Sequence, residues 1–284
     1  MFDVFKNRLE IAGTLTTVTA LRIGQGRSTE PIGSDLPVVK DALGQPLIPG
    51  SSFKGALRSR LESFLRGINP DLAQDPSELV STEVTQRVKE IKEQHKDDDA
   101  ALTAALDNIT DEVSKVFGSP WQASKFQVRD LTVNPDSWVG QYQERDGVSI
   151  NRDTETAVEG RLYDFQVVPA GVEFEFRAVF ENAEDWELGL LVMGLQQFKM
   201  QQIPLGGGNS RGLGVVQLAI DKTIWIDPEG DPAALIDYMR RLSADDLSHY
   251  ERDESHFEAL KSDWTTALVR RLSASARVPI SSEA

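Results

Sequence analysis

Pro46-Leu47-Ile48-Pro49-Gly50-Ser51-Ser52-Phe53-Lys54-Gly55-Ala56-Leu57-Arg58 carries the chain from a loop into a helix. The apolar run 46–49 breaks at Gly50. Phe53, Ala56, Leu57, Leu61, Phe64 and Leu65 then recur at helical spacing, which predicts a helix over roughly 51–66. Ser51 or Ser52 is placed to cap it, and Gly67 and Pro70 to stop it. Lys54 and Arg58, four residues apart, share a face off the apolar stripe. Free backbone N–H groups, two hydroxyls and an ammonium at the positive end of a helix outline an anion site. The same cations also read as an ordinary solvated face. The loop 25–45 upstream is long for a compact domain, which points to function. It holds Asp35 between Gly33-Ser34 and Pro37, where an aspartate by itself reads as a turn residue.

Working outward, residues 8–17 alternate, with Leu9, Ile11 and Leu15 on one side, and predict a half-buried strand that Leu21 and Ile23 prolong. Further strands are expected at 126–133, 161–168, 172–180 and 215–220. A second helix is expected after Asn182 as cap, running to about Gln202. Read as strand, helix, strand, strand, helix, strand, this is an α+β chain with the ferredoxin-like βαββαβ order, two split βαβ units on an antiparallel sheet. Residues 68–117 are acidic and rich in helix formers and read as a helical insertion. Residues 140–160 are polar and turn-rich and read as a protruding hairpin. Residues 228–284 read as a helical C-terminal extension. The sheet-forming body is then 1–67 together with 118–227.

Gly206-Gly207-Gly208-Asn209-Ser210-Arg211-Gly212-Leu213-Gly214 leaves a helix and enters a strand. It is therefore neither a Walker loop nor a dinucleotide fingerprint. It reads equally as a tight turn or a phosphate contact, and Arg211 tips it toward an anion. The three histidines, His95, His249 and His256, all lie away from these loops, which argues against a histidine acid–base pair. With no cysteine, disulfides and thiolate zinc sites are excluded, and a reducing cytoplasm fits. The N-terminus lacks a signal-peptide pattern and no apolar run is long enough to span a bilayer. A net charge of −15 argues against a general nucleic-acid binder. Yet residues 1–66 hold 9 basic and 6 acidic side chains, so a local basic groove survives on an acidic body.

Leu36-Pro37-Val38-Val39-Lys40-Asp41, the Pro46–Arg58 string and the glycine loop 206–214 together resemble the repeat-associated mysterious protein (RAMP) superfamily, and within it the backbone subunits of type III CRISPR effector complexes. The resemblance covers residues 8–66 and 118–220. It implies a ferredoxin-like palm that binds guide RNA and stacks with other effector subunits along it, with complementary target RNA as the second ligand. It gives Ser51, Ser52, Lys54 and Arg58 to the guide backbone, and Gly206, Gly207, Gly208, Asn209 and Arg211 to the same groove. The hairpin near 140–160 becomes a thumb, with Arg152 as a further RNA contact. It makes Asp35 the catalytic residue of a target-cleaving endoribonuclease, and the ligand of a transient Mg²⁺ or other divalent ion. The histidine that some family members carry before the Ile-Gly step is Arg22 here, so no histidine role is transferred.

A carboxylate and a hydrated cation orient an RNA 2′-OH toward its neighbouring phosphate, ending in a 2′,3′-cyclic phosphate and a 5′-OH. Three other readings stand beside this one: a structural, non-cleaving subunit of the same complex, a guide-RNA-processing endoribonuclease, and a small-anion enzyme of acylphosphatase type.

Overall fold

The computed structural model describes residues 4–27, 34–150, 153 and 155–276. Arg152 and part of the loop 25–45 fall outside them. In chain order come β1 (Arg8–Thr17), β2 (Leu47–Ile48), α1 (Gly50–Ile68), α2 (Pro76–Leu79), α3 (Thr82–Gln94), α4 (Asp99–Asn108) and α5 (Glu112–Phe117). They are followed by β3 (Phe126–Val128), β4 (Leu131–Thr132), β5 (Gln143–Ile150), β6 (Ala157–Val167) and β7 (Glu173–Glu181). Last come α6 (Asp185–Lys199), β8 (Val216–Ile226), α7 (Pro232–Ser243), β9 (Glu251–Arg252) and α8 (Glu254–Ser275).

The main sheet has the order β3-β7-β1-β8-β9, antiparallel at every step. Alternation in β1 and β7 sends Leu9, Ile11, Leu15, Phe174, Phe176 and Phe180 to one face. That face is closed by α1 and α6. Phe53 of α1 stacks on Phe198 of α6 at 4.3 Å and meets Phe176 of β7 at 4.9 Å. All three rings are fully buried, each stabilising the fold by about 2–3 kcal/mol through transfer from water. Beyond α6 lies α8, which inserts Phe257, Trp264 and Leu268 into the same core.

Several sequence expectations are corrected. Helix α1 continues through Gly67 and ends at Ile68, because Pro70 holds Asn69 extended. Asn182 does not cap α6. It adopts φ 52° and uses its side chain to bind the backbone of Lys6 and Val4. Glu184 starts the helix instead, its N–H donating to the Glu187 carboxylate at 2.8 Å in a capping box. The 126–133 strand is split at Arg129-Asp130. β3 joins the main sheet, whereas β4 pairs with β2. Residues 157–167 do not enter the main sheet either; they form an antiparallel hairpin with β5.

Within the acidic segment, the short-side-chain acids have a local cause. Asp75, Asp98 and Asp111 each accept a hydrogen bond from the first turn of the helix they precede. The buried pair Lys125–Glu187, at 2.6 Å, ties the return from this segment to the start of α6.

Candidate nucleic-acid interface

The loop that carries Asp35 is laid as a strip between two strands. On one side, Gln25 donates to Pro37 at 3.0 Å and Val39 to Ile23 at 2.9 Å, continuing the line of β1 beyond its bend. On the other, Gln166 of β6 donates to the Leu36 carbonyl at 3.1 Å, with Leu36 and Phe165 bridged in parallel. The Asp35 N–H donates to the Asp164 carboxylate of β6 at 2.7 Å. The Asp35 side chain is half-buried, and no described residue hydrogen-bonds or ion-pairs with its carboxylate.

The glycine loop forms the neighbouring wall. Gly207 donates to the Arg22 carbonyl at 2.8 Å and Gly214 to that of Ala20 at 2.9 Å. A Cβ on Gly206, which sits at φ +72°, would lie 2.1 Å from the Arg22 carbonyl oxygen, so only glycine permits this approach. Residues Asn209–Arg211 make one 3-10 turn at the tip. From it Arg211 donates to the Tyr163 hydroxyl of β6 at 3.1 Å. The Arg22 guanidinium lies 5.1 Å over the Phe165 ring, and its Nε is buried without a hydrogen-bond partner among the described residues. Alternation along β6 puts Tyr163 and Phe165 on one face and Asp164 on the other. Two arginines and one free carboxylate are thus organised by the same strand from its two faces.

Helix α1 differs from its sequence reading. Neither Ser51 nor Ser52 caps it. The Gly50 N–H donates to Asp130 at 2.8 Å, so an internal carboxylate occupies the helix N-terminus. Ser51 is exposed and Ser52 half-buried. Lys54 and Arg58 do share a face, but residues 114–126 cover it. Lys54 donates to Ser124 at 2.6 Å and to the Phe126 carbonyl at 3.0 Å. Burial, helped by the Arg58 charge, pushes its ammonium below the ordinary lysine range. Arg58 spans the Glu62 carboxylate at 2.8 Å, the Gly118 carbonyl at 3.0 Å and the Ser114 hydroxyl at 3.1 Å.

A family model described as the RAMP superfamily matches residues 14–217. The chain belongs to the RAMP superfamily. The matched span runs from mid-β1 into β8 and contains the Asp35 loop, α1, the hairpin and the glycine loop of this RAMP protein. Among similar proteins, one from Enterococcus italicus named "CRISPR system Cms endoribonuclease Csm3" is 26% identical over 220 residues, covering 76% of this chain and 91% of that protein. A Methanocaldococcus jannaschii protein of the same name is 27% identical over 230 residues, covering 77% and 82%. One from Mycobacterium tuberculosis reaches 45% over 76 residues, covering 23% and 32%.

Sequence reasoning missed Asp130, Asp164 and Tyr163 in this RAMP chain and gave Arg22 no role. Asp164 sits 129 positions from the backbone it binds and Asp130 sits 80 from Gly50, so no local spacing announces either. Among the described residues, no three carboxylate or imidazole side chains are grouped to hold a metal ion. Asp35, with its free carboxylate, fits the mode in which Mg²⁺ takes one protein carboxylate and completes its shell with water and phosphate.

Proposed function

We propose that this RAMP chain is a guide-RNA-binding backbone subunit of a type III CRISPR effector complex in the cytoplasm, and that it cleaves complementary target RNA at Asp35. The relatives' shared name, an endoribonuclease of a CRISPR system, supports the activity. The observation that carries the site is a loop aspartate held from both sides, with its carboxylate free of any described partner. We read β1, β3, β7 and β8 with α1 and α6 as a ferredoxin-like palm, since the order β3-β7-β1-β8 is that of two interleaved βαβ units. The β5–β6 hairpin is then the thumb, 68–117 the insertion and 228–284 the extension.

In this reading the guide backbone runs past the exposed Ser51 and along the glycine loop, where backbone N–H groups, Asn209 and Arg211 meet phosphate oxygens. Lys54 and Arg58 serve the groove indirectly, by fixing residues 114–126 against α1. A target nucleotide unstacked at the hairpin places its 2′-OH in line with its own 3′-phosphate. The 2′ oxygen attacks phosphorus as its proton passes to solvent, and the 5′ oxygen of the next nucleotide leaves and takes a proton from solvent, giving a cyclic phosphate and a 5′-OH. Asp35 accepts the hydrogen bond of the attacking hydroxyl and fixes its direction. A divalent ion held by Asp35 would supply charge neutralisation at the phosphate. Arg22, whose Nε has no partner among the described residues, would contribute to the same neutralisation.

Complexes carrying Asp35→Ala are expected to assemble and to bind target with unchanged affinity, yet leave it uncut at this subunit's position. Cleavage at the wild-type rate and spacing would remove Asp35 from the reaction and overturn this reading of the site.

A further inference from the structure

From the hairpin's own chemistry, we infer that Asp164 is a positioning residue for Asp35, so that β6 sets the geometry of the cut. The inference rests on Asp35 being the cleaving residue. Asp164 is a poor choice for the hairpin itself. Its cross-strand partner is Asp146, and two carboxylates directly opposite on one face repel. Among the described residues of the hairpin no cation pairs with Asp164. The one described hydrogen bond of its side chain leads out of the hairpin, to the Asp35 N–H at 2.7 Å.

That bond acts on the residue that matters. The Leu36 carbonyl is already fixed by Gln166, and Pro37 and Val39 are fixed to the β1 side. Asp35 itself is anchored through its own peptide N–H, and Asp164 is the anchor. A side-chain oxygen at this distance gives a short, directional bond. It orients the Asp35 peptide, and with it the direction in which the free carboxylate leaves the backbone. Because the acceptor belongs to β6, hairpin and cleaving loop move together.

The test compares Asp164→Ala with Asp164→Asn in the assembled complex, measuring target affinity and single-turnover cleavage separately. The asparagine retains a side-chain oxygen for the Asp35 N–H and removes the charge. Asp164→Ala is expected to slow cleavage by roughly 10-fold or more, as small misplacements at a reacting centre do, with target affinity unchanged. Asp164→Asn is expected to cut at close to the wild-type rate. Because alanine relieves the repulsion from Asp146, the hairpin should fold at least as well without the carboxylate, and equal or higher melting temperature shows this directly. Wild-type cleavage by Asp164→Ala overturns the inference. So does an Asp164→Asn variant as slow as Asp164→Ala, which would assign the effect to charge. Asp35→Ala is run alongside: if it still cuts, the cleavage reading has failed; if it is inactive while Asp164→Ala is not, only the positioning role has.

Discussion

Arg58 shows how a residue is legible in type and spacing but not in task. Its i, i+4 relation to Lys54 and its place off the apolar stripe can be read from the chain. Its partners cannot, because Ser114 and Gly118 lie 56 and 60 positions away. The guanidinium fork fits them and Glu62 together, which an ammonium would not. Glu62 is only 7% exposed, so truncating Arg58 leaves a buried carboxylate with Arg66 alone. Arg58→Ala is expected to lower unfolding free energy by about 2–3 kcal/mol, measured in urea, without changing RNA affinity of the folded fraction. A direct phosphate ligand would show the reverse pattern, with affinity lost and stability kept.

Among the elements, α1, α6 and the alternating strands β1 and β7 follow from local period, and the structure has them within a few residues of the expectation. What period does not contain is a partner. Residues 161–168 alternate like a sheet strand, yet up to Val167 their hydrogen bonds go to β5 and to the Asp35 loop, and only Val168 pairs with Leu21 beyond the end of β1. The crossing of α6 and α8 is another such case. A Cβ on Gly189 would lie 2.2 Å from the Trp264 carbonyl oxygen, so the two backbones touch where glycine sits. Gly189 inside a helical pattern looks like a weakness in the sequence, whereas it is the seat of α8. Gly189→Val is expected to push α8 away, cost about 2 kcal/mol or more, and red-shift the emission of Trp264 and Trp225 on exposure. Unaltered tryptophan emission and stability would mean that α8 is not docked there.

At the scale of the whole molecule, the charge of −15 governs how RNA is held. With Lys54 and Arg58 engaged internally, Arg22 and Arg211 are arginines that the described residues place at the candidate groove. An isolated chain is therefore expected to bind non-specific single-stranded RNA weakly, with a log-affinity against log-salt slope of roughly −1 to −2, for two or three phosphate contacts. Fluorescence anisotropy over a salt series measures it, and a slope steeper than about −4 would require basic side chains beyond Arg22 and Arg211. The family match ends at residue 217, yet α8 contributes Phe257, Trp264 and Leu268 to the common core. The C-terminal segment is thus a built-in layer of this chain rather than an appended tail.

The string at 46–58, the loop aspartate, the glycine loop and the strand and helix periods belonged to the sequence alone, because each depends on neighbours a few residues apart. The RAMP resemblance rests on those local strings. Only the tertiary structure decided that Asp130 caps α1, that Lys54 and Arg58 face inward, and that Asp35 hangs from Asp164. Each of these is a hydrogen bond between segments that sequence distance separates and the packed sheet brings together, and a donor buried by packing must take whatever acceptor the fold delivers.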